Sequence, residues 1–369
     1  MGISILIGDV FERLADIADE SVDCVVTSPP YWGLRDYGVE GQIGLEPTLG
    51  EHLATMVKVF AEIRRVLKPT GTVWLNYGDC YATTPNGRSA ADTKAKGDDD
   101  RGFVDKPFST IQGALKPKDL CMLPARLAIA LQEDGWWIRS EIIWGKPNPM
   151  PESIKDRPAT AHEKIYLMTK APKYAYDHEA VRQPAAEASI SRWSQNIEEQ
   201  AGSDRSNGGR KTNGPLKVVG GPKKDKQRGH GRRHEGFNAR WDAMSKDEQQ
   251  ASGRSLRNYE PAPVEVWKMA TRPFKEAHFA TFPPELAERC IKAGCPQGGH
   301  VLDPFGGAGT TGLVASRLGR SATLIELNPE YAEIARKRIA DDIEPIIEAV
   351  QGGVTVEQLS MDELIDGAA

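Results

Sequence analysis

The chain has 369 residues and is 39% hydrophobic, enough for one large α/β domain with a smaller module or for two ordinary domains. Its formal net charge of -5 excludes a uniformly basic surface, so any contact with nucleic acid must use a local patch. The five cysteines are scattered without a C-x-x-C pair, which predicts reduced thiols in a cytoplasmic protein and no metal site. Neither a membrane span nor a signal peptide is expected, because no apolar run is long enough and the N-terminus lacks a basic flank.

The first 170 residues alternate between strand and helix patterns. Short aliphatic runs predict buried strands, and apolar residues at helical spacing predict helices. Pro69 and Gly71 are expected to end the helix that precedes them. Residues 83–110 are rich in Gly, Asp and Lys and predict a long loop. The predicted strands are 3–7, Val22–Thr27, Thr72–Tyr77, Trp136–Trp144 and Glu163–Thr169, and the predicted helices are Glu51–Leu67 and Pro124–Asp134.

The composition changes between about residues 180 and 260, where apolar periodicity is lost. Between 201 and 257 there are 14 Lys and Arg residues but only 6 Asp and Glu residues. This segment is therefore basic in a chain that is acidic overall, which is typical of a surface that contacts phosphates. The densest basic cluster comprises Lys223, Lys224, Lys226, Arg228, Arg232 and Arg233.

Regular patterns return after about residue 264. They predict helices at Pro284–Ala293, Thr310–Leu318 and Pro329–Ile343, and strands ending at Leu302 and spanning Ala322–Leu327. Pro345 is expected just beyond the end of the last helix. Only one further strand and helix follow Gly312, too few for a complete sheet. The strands near the N-terminus must therefore complete a sheet that is built from both ends of the chain.

A glycine-rich loop follows the strand that ends at Leu302 and opens the next helix. Its glycines would let a ligand approach the backbone, and Glu326, at the end of the next strand, could accept both hydroxyls of a ribose. Gly307, Gly309 and Gly312 satisfy G-x-G-x-x-G, which keeps a nicotinamide-dependent oxidoreductase as an alternative. Asp303 argues against that alternative, because a carboxylate repels a pyrophosphate and suits a cationic amino group.

A second loop, Thr27-Ser28-Pro29-Pro30-Tyr31-Trp32, directly follows a predicted strand. Two prolines fix φ twice and remove two N–H donors, so the loop presents carbonyl acceptors beside a flat tyrosine ring. Such a loop suits an aromatic ring that carries an amino group. Acceptors for both N–H groups can aim the nitrogen lone pair at a methyl donor, so that catalysis consists mainly of positioning. Both loops follow strands and are expected to face each other at the same edge of the sheet.

These residues resemble the motifs of the DNA amino-methyltransferases, namely [Ser/Asp/Asn]-Pro-Pro-[Tyr/Phe] and Asp-Pro-Phe-x-Gly-x-Gly-Thr-Thr. The order of catalytic loop, basic region and cofactor loop resembles the circularly permuted β group. The resemblance implies a class I methyltransferase fold, an α/β Rossmann-like sheet with an antiparallel edge hairpin, and S-adenosylmethionine as cofactor. It implies that Ser28, Pro29, Pro30 and Tyr31 hold the target base. The implied cofactor residues are Asp9, His278, Thr281, Asp303, Phe305, Gly306, Gly307, Gly309, Thr310, Thr311 and Glu326.

The same resemblance divides the chain into four parts. Residues 1–179 form the catalytic half, 180–263 a target-recognition region, 264–345 the cofactor-binding half of the same sheet, and 346–369 a tail. The substrate would be double-stranded DNA with its target base flipped into the pocket. Serine at position 28 favours the cytosine N4 amino group over adenine N6. A homodimer and a cognate restriction endonuclease, as in restriction-modification, are candidate partners, and no membrane partner is expected.

Three further hypotheses stay open besides the oxidoreductase. Methylation of adenine N6 differs only in the base. Methylation of an RNA base or a glutamine side chain is opposed by the basic region and the motif order. A DNA-binding protein with an inactive pocket belongs to another functional class, and the intact Ser28–Tyr31 loop and Asp303 argue against it. Trp32 is expected to close the pocket structurally, and Asp36 is either a turn carboxylate or a functional group.

Overall fold

A computed structural model describes residues 2–85, 104–181, 264–271 and 282–351 of the chain. The strands, in chain order, are β1 (Ile3–Ile7), β2 (Val22–Thr27), β3 (Arg35–Asp36), β4 (Leu67–Tyr77), β5 (Val104–Asp105), β6 (Trp137–Gly145), β7 (His162–Thr169), β8 (Val266–Lys268), β9 (His300–Asp303) and β10 (Ser321–Glu326). The helices are α1 (Val10–Ala15), α2 (Leu49–Val66), α3 (Leu123–Glu133), α4 (Pro284–Gly294), α5 (Thr310–Arg317) and α6 (Pro329–Gln351).

Within these residues, eight strands form one mixed sheet in the order β1-β10-β9-β2-β4-β7-β6-β8. The first five are parallel, β7 is antiparallel to both β4 and β6, and β8 is parallel to β6. β1 pairs with β10 from Ile3 opposite Ala322 to Ile7 opposite Glu326. The prediction that both ends of the chain build a single α/β sheet is therefore confirmed.

Helices cover both faces of the sheet, and the alternation along the central strands assigns side chains to each face. Val25 and Leu75 point to the face that α2 and α3 cover, where they join a core with Phe60 and Leu127. The intervening residues point to the opposite face, where a second core forms under α4 and α5. That second core includes Cys24, Val26, Trp74, Ala287, Cys290, Ile291, Val314 and Ala315.

Helix α2 shows how local sequence fixes an element. Thr48 caps its N-terminus by accepting a hydrogen bond from Glu51 N at 3.2 Å, and Glu51 accepts one in return from Thr48 N at 3.0 Å. The helix then buries a stripe at helical spacing that contains His52, Met56, Val59, Phe60, Ile63 and Val66.

The central strands β9 and β2 lie at the point where the chain changes direction across the sheet. From β9 the chain crosses through α5 to β10 on one side, and from β2 it crosses through α2 to β4 on the other side. The loops that follow β9 and β2 therefore diverge and leave a crevice at the carboxyl edge, the usual position of ligands in open α/β sheets.

Several elements differ from the predictions. The hairpin of β6 and β7 is antiparallel as expected, but β8 pairs outside β6 and takes the edge position. β4 begins at Leu67 rather than Thr72, because the chain continues from α2 directly into extended backbone. α6 continues through Pro345 to Gln351 instead of ending at residue 343. Elements α1, β3, β5 and β8 are too short for their periodicity to stand out in the sequence.

None of the helices in the described ranges combines the length and apolar character that a membrane span requires. All five cysteines are free thiols, and all are buried except the half-buried Cys80. In the same ranges, no three His, Cys, Asp or Glu side chains are grouped as metal ligands.

Candidate active site

A cavity opens at the carboxyl edge of the sheet, where the loops after β1, β2, β9 and β10 meet. Both loops that the sequence singled out contribute to its wall, and a segment between residues 34 and 43 completes it. The motif residues that line the cavity are Asp9, Ser28, Pro29, Pro30, Tyr31, Phe305, Gly307 and Glu326. The sequence thus correctly predicted that the two loops share one edge.

Among the glycines of the glycine-rich loop, Gly307 is the one that lines the cavity. Its φ is +50°, and a Cβ atom at this position would meet nothing within 4 Å, so the backbone is open to an incoming molecule. Its N–H donates a hydrogen bond to Glu326 Oε2 at 2.8 Å, which joins the glycine loop to the end of β10.

The neighbouring glycines serve packing instead. A Cβ at Gly309 would lie 2.9 Å from Ala335 Cβ on α6, and one at Gly306 would lie 2.9 Å from Leu324 Cβ on β10. A Cβ at Gly312 would also lie 2.9 Å from the Leu324 side chain. These three residues allow the loop and α5 to approach their neighbours closely, and they do not line the cavity.

Asp303 lies behind the cavity rather than in its wall. Its side chain is buried, and it accepts hydrogen bonds from Thr27 Oγ1 at 2.7 Å, Thr311 Oγ1 at 2.6 Å and Phe305 N at 3.1 Å. Burial raises the pKa of Asp303 to about 6, although these hydrogen bonds oppose the shift. Asp303 therefore does not line the cavity, and its expected contact with a cationic amino group stays a prediction. It holds β2, β9 and α5 together.

Thr310 and Thr311 also lie behind the wall. Thr310 Oγ1 accepts a hydrogen bond from Arg338 Nη1 at 3.0 Å, and the same guanidinium donates to Ala308 O at 3.0 Å. Thr311 is fully buried. Both threonines therefore support the glycine loop through contacts on its far side.

Glu326 and Asp9 are both acidic residues of the cavity wall. Glu326 Oε1 accepts from Asn328 N and Glu326 Oε2 accepts from Gly307 N, both at 2.8 Å. Burial raises its pKa, and the two backbone hydrogen bonds lower it. Each carboxylate oxygen keeps a second lone pair, so the group can still accept hydrogen bonds from the hydroxyls of a ligand.

Asp9 follows β1 and caps helix α1. Its Oδ1 accepts hydrogen bonds from Phe11 N at 2.8 Å and Glu12 N at 3.3 Å. The adjacent Gly8 donates its N–H to Glu326 O at 3.0 Å, so the end of β1 is fixed beside the end of β10.

Tyr31 of the proline–tyrosine loop packs against Tyr77 and Gly78. Its ring meets that of Tyr77 edge-on, with 4.9 Å between centroids. Gly78 lies against the same ring, and a Cβ at Gly78 would stand 2.5 Å from Tyr31 Cε2. Ser28 Oγ lies 3.4 Å from Tyr31 Oη. Burial raises the pKa of Tyr31 well above its ordinary value, and the charge of Glu163 adds to the shift.

Polar residues that the sequence did not single out hold Tyr31 from behind. Tyr31 Oη donates to Glu163 Oε2 at 3.2 Å, and Asn76 Nδ2 donates to the same oxygen at 3.1 Å. Lys146 Nζ donates to Glu163 Oε1 and lies 4.5 Å from the centre of the Trp144 ring. These residues come from β4, from β7 and from the end of β6 and the residue that follows it, so a local motif could not have revealed them.

A second network supports the floor beneath Tyr31. His52 is fully buried, with Nδ1 2.9 Å from Glu46 Oε2 and Nε2 2.7 Å from Tyr77 Oη. Burial would raise the pKa of Glu46, but the hydrogen bond with His52 and other contacts outweigh it and lower the pKa. Trp32 Nε1 donates to Glu46 O at 2.9 Å. Trp32 is fully buried and does not line the cavity, and its expected role in closing the pocket stays a prediction.

The segment after Trp32 contains a turn and part of the cavity wall. Asp36 Oδ1 accepts a hydrogen bond from Gly38 N at 2.7 Å, which makes it a turn carboxylate. Its neighbours Arg35 and Tyr37 line the cavity, although the sequence gave them no role. His278, Thr281 and the basic cluster of Lys223, Lys224, Lys226, Arg228, Arg232 and Arg233 lie outside the described residues.

Comparison with known proteins agrees with this geometry. The DNA methylase family model matches residues 22–337, so the chain belongs to the N6/N4 DNA methylase family. Type II methyltransferase M.XycI of Xanthomonas campestris pv. cyanopsidis is 40% identical over 338 residues, covering 92% of this chain and 88% of its own. Type II methyltransferase M.SmaI of Serratia marcescens is 39% identical over 335 residues, covering 91% and 90%.

Among solved structures, PvuII DNA methyltransferase (cytosine-N4-specific) aligns with a TM-score of 0.53 and 18% identity, covering 96% of this chain and 94% of its own. At this identity the likeness shows the fold alone, and that fold is the class I methyltransferase fold that the motifs predicted. The chain is thus an S-adenosylmethionine-dependent DNA methyltransferase. The oxidoreductase hypothesis is wrong.

Proposed function

We propose that the protein transfers the methyl group of S-adenosylmethionine to the N4 amino group of a cytosine in double-stranded DNA. The observation that carries the proposal is that the Ser28–Tyr31 loop and the Gly307–Glu326 wall line one cavity. The first part of the wall offers acceptors for an amino group, and the second offers an open backbone and a carboxylate. This juxtaposition supports the transfer of a group between two molecules that are bound side by side.

The wall formed by the glycine loop and Glu326 fits the proposed cofactor. Gly307 leaves its side of the cavity without a side chain, and Glu326 retains acceptor capacity for ribose hydroxyls. Asp9 presents a second carboxylate at the end of β1. The cofactor supplies an electrophilic methyl group, and the protein must place a nucleophile in line with it.

The proline–tyrosine loop supplies that placement. The nitrogen of an exocyclic amine is a poor nucleophile, because its lone pair is delocalised into the ring. Ser28 Oγ and the carbonyls of the loop can accept the two N–H hydrogens and favour the pyramidal nitrogen. No strong base is needed, since the amine loses its proton readily once it is methylated. Catalysis then consists of orientation and fixed dipoles.

The DNA substrate requires one further step. A base that is stacked in a duplex cannot bring its amino group into a cavity, so we propose that the target nucleotide is flipped out of the helix. The basic segment between residues 201 and 257 is proposed to hold the phosphates. The homodimer, the partner endonuclease and the cytoplasmic location stay predictions.

The choice of base rests on Ser28. In the family that this chain resembles, serine at this position is more typical of enzymes that act on cytosine, whereas Asp or Asn more often accompanies adenine. All three side chains offer an oxygen acceptor of similar reach, so adenine N6 is the second candidate.

The test identifies the product directly. Purified protein is incubated with unmethylated DNA and labelled S-adenosylmethionine, and the DNA is digested to nucleosides that are identified by mass. We expect label in N4-methylcytosine. Label in N6-methyladenine would overturn the choice of base, and an unlabelled product across DNA of varied sequence would overturn the DNA substrate.

A variant separates catalysis from mere DNA binding. Tyr31→Ala should abolish most of the transfer and leave DNA retention nearly unchanged. If Tyr31→Ala transferred methyl groups at the wild-type rate, the cavity would not be the site of the reaction.

A further inference from the structure

The carboxylate of Glu163 lies directly behind the catalytic loop, at the junction of three strands. Oε2 lies 3.2 Å from Tyr31 Oη and 3.1 Å from Asn76 Nδ2, and Oε1 is paired with Lys146 Nζ. About a fifth of each of the Glu163 and Lys146 side chains is exposed. Glu163 does not line the cavity, so it does not touch a substrate bound there.

These contacts fix the direction of a hydrogen bond. A carboxylate that is paired with a lysine only accepts hydrogen bonds, and Asn76 already donates to the oxygen that faces Tyr31. The Tyr31 hydroxyl has one proton and must therefore donate it to Glu163. The oxygen of Tyr31 is left as an acceptor on its other side.

The consequence reaches Ser28, whose Oγ lies 3.4 Å from that acceptor. With the Tyr31 proton engaged by Glu163, the Ser28 proton is drawn towards Tyr31 Oη. The lone pairs of Ser28 Oγ are then left to face the cavity. An acceptor in that position is what an incoming amino group requires, because both of its hydrogens must be bound.

We propose that Glu163 is a positioning residue that sets the hydrogen-bond direction along Tyr31 and Ser28, so that Ser28 Oγ presents an acceptor to the target amino group. The inference rests on the proposed role of Ser28 in amino-group methylation. We expect its effect on the transfer step, because Glu163 contacts Tyr31 and does not line the cavity.

The same hairpin offers a matched control. Glu141 on β6 accepts from Lys164 Nζ and from Tyr166 Oη, each at 2.9 Å, so it repeats the set of carboxylate, ammonium and tyrosine. Neither Lys164 nor Tyr166 lines the cavity. Glu141→Gln therefore removes the same kind of group from the same hairpin, at a distance from the catalytic loop.

The experiment measures single-turnover methyl transfer on DNA for wild type, Glu163→Gln, Tyr31→Phe, the double variant and Glu141→Gln. Glutamine keeps the size of glutamate, but its amide can donate a hydrogen bond to Tyr31. That would reverse the direction of the hydrogen bonds along Tyr31 and Ser28. We expect Glu163→Gln to lower the transfer rate constant about tenfold to hundredfold, with affinities for DNA and cofactor within about threefold of wild type. Glu141→Gln should transfer at the wild-type rate.

The double variant distinguishes positioning from structural support. When Tyr31 has no hydroxyl, Glu163 has no proton to direct, so Glu163→Gln should change the Tyr31→Phe rate less than about twofold. A wild-type rate in Glu163→Gln would overturn the proposal. The proposal would also be overturned if Glu163→Gln lowered the transfer rate of Tyr31→Phe by the same factor as it lowers that of wild type.

A second variant tests the same proposal if Glu163→Gln folds poorly. Lys146→Met removes the ammonium group that holds the carboxylate, so it should also lower the transfer rate constant. This effect should again be absent when Tyr31→Phe is already present. The wild-type product in the same assay tests the proposed function separately. An inactive wild-type enzyme would overturn the function, whereas an active wild type with an unaffected Glu163→Gln overturns only the role of Glu163.

Discussion

Thr311 Oγ1 donates a 2.6 Å hydrogen bond to Asp303 Oδ2, and this bond joins the first turn of α5 to the end of β9. Thr27 Oγ1 on β2 donates to the other oxygen of the same carboxylate at 2.7 Å. The two loops that line the cavity are thus held in register by one buried acid behind them. The acid next to the glycine loop acts as a structural link in this arrangement.

The raised pKa of Asp303 predicts a pH-dependent stability. The value is about 6 in the folded protein and 3.8 in the unfolded reference, so the contribution of Asp303 is fully present below pH 3.8 and is lost as the pH rises through 6. The advantage of wild type over Asp303→Asn in free energy of unfolding should fall by up to about 3 kcal/mol between pH 4 and 7. Urea denaturation of both proteins across this range measures it. A difference that is independent of pH would contradict the shift.

Gly307 and Gly309 should respond differently to alanine. At Gly307 the added methyl group has space but a φ of +50°, so we expect a loss of only about 1 kcal/mol in stability. The methyl group projects into the cavity wall and should weaken cofactor binding about tenfold or more. At Gly309 a φ of +79° combines with a 2.9 Å approach to Ala335, so the expected loss is about 2–4 kcal/mol.

Titration calorimetry with S-adenosylmethionine and thermal unfolding measure the two effects for each variant. The test is the difference between the two variants in stability and in cofactor affinity. Equal losses of stability at both positions, or unchanged cofactor affinity in Gly307→Ala, would mean that Gly307 does not face the ligand.

Gly78→Ala should impair transfer without touching the cofactor. Its Cβ would stand 2.5 Å from Tyr31 Cε2 and would push the ring away from its place beside Ser28. We expect the transfer rate to fall about tenfold to hundredfold while cofactor affinity stays unchanged. Gly50→Ala in helix α2 is the control, since its nearest neighbour would be Thr48 Oγ1 at 3.9 Å. Single-turnover kinetics that show equal rates for both variants would disprove the packing argument.

His52→Leu should destabilise the protein by about 2–4 kcal/mol, because it removes the partner of the buried Tyr77 hydroxyl and one of the two groups bonded to Glu46 Oε2, which also accepts from Gly44 N. Adding Tyr77→Phe should recover part of the loss, since the orphaned hydroxyl is then removed. Urea denaturation of the single and double variants checks both expectations. The direct contact would be excluded if the double variant lost more free energy of unfolding than the two single variants lose together.

The sequence predicted the motif loops well because each of them is local. The backbone constraints of Pro29 and Pro30 and the glycine pattern around Gly307 are contained in a few consecutive residues, and each loop directly follows a strand. Parallel strands then bring such loops to the same edge without any knowledge of tertiary contacts. The family resemblance rested on the same local signals.

The support behind the loops could not be predicted in this way. Glu163 meets Tyr31 because β7 pairs antiparallel with β4 in a particular register, and the distance between them in sequence is 132 residues. Register depends on the packing of both faces of the sheet, which one sequence does not specify. The position of Asp303 was not predictable for a related reason: its place after β9 follows from the local motif, but the side of the strand end that its carboxylate faces depends on contacts with β2 and α5.

The pairing of β1 with β10 has a consequence for biosynthesis. The cavity wall combines Asp9 and Ser28 with Gly307 and Glu326, so its first and last contributors leave the ribosome about three hundred residues apart. At typical elongation rates of about 5–20 residues per second, the early strands wait on the order of tens of seconds for their partners. Until Glu326 emerges, β1 and β2 have unpaired edges and the nascent chain has no complete methyl-donor pocket. The cavity is therefore complete only when synthesis of this sheet is finished, and the unpaired strand edges of the N-terminal half can pair with other chains during that interval.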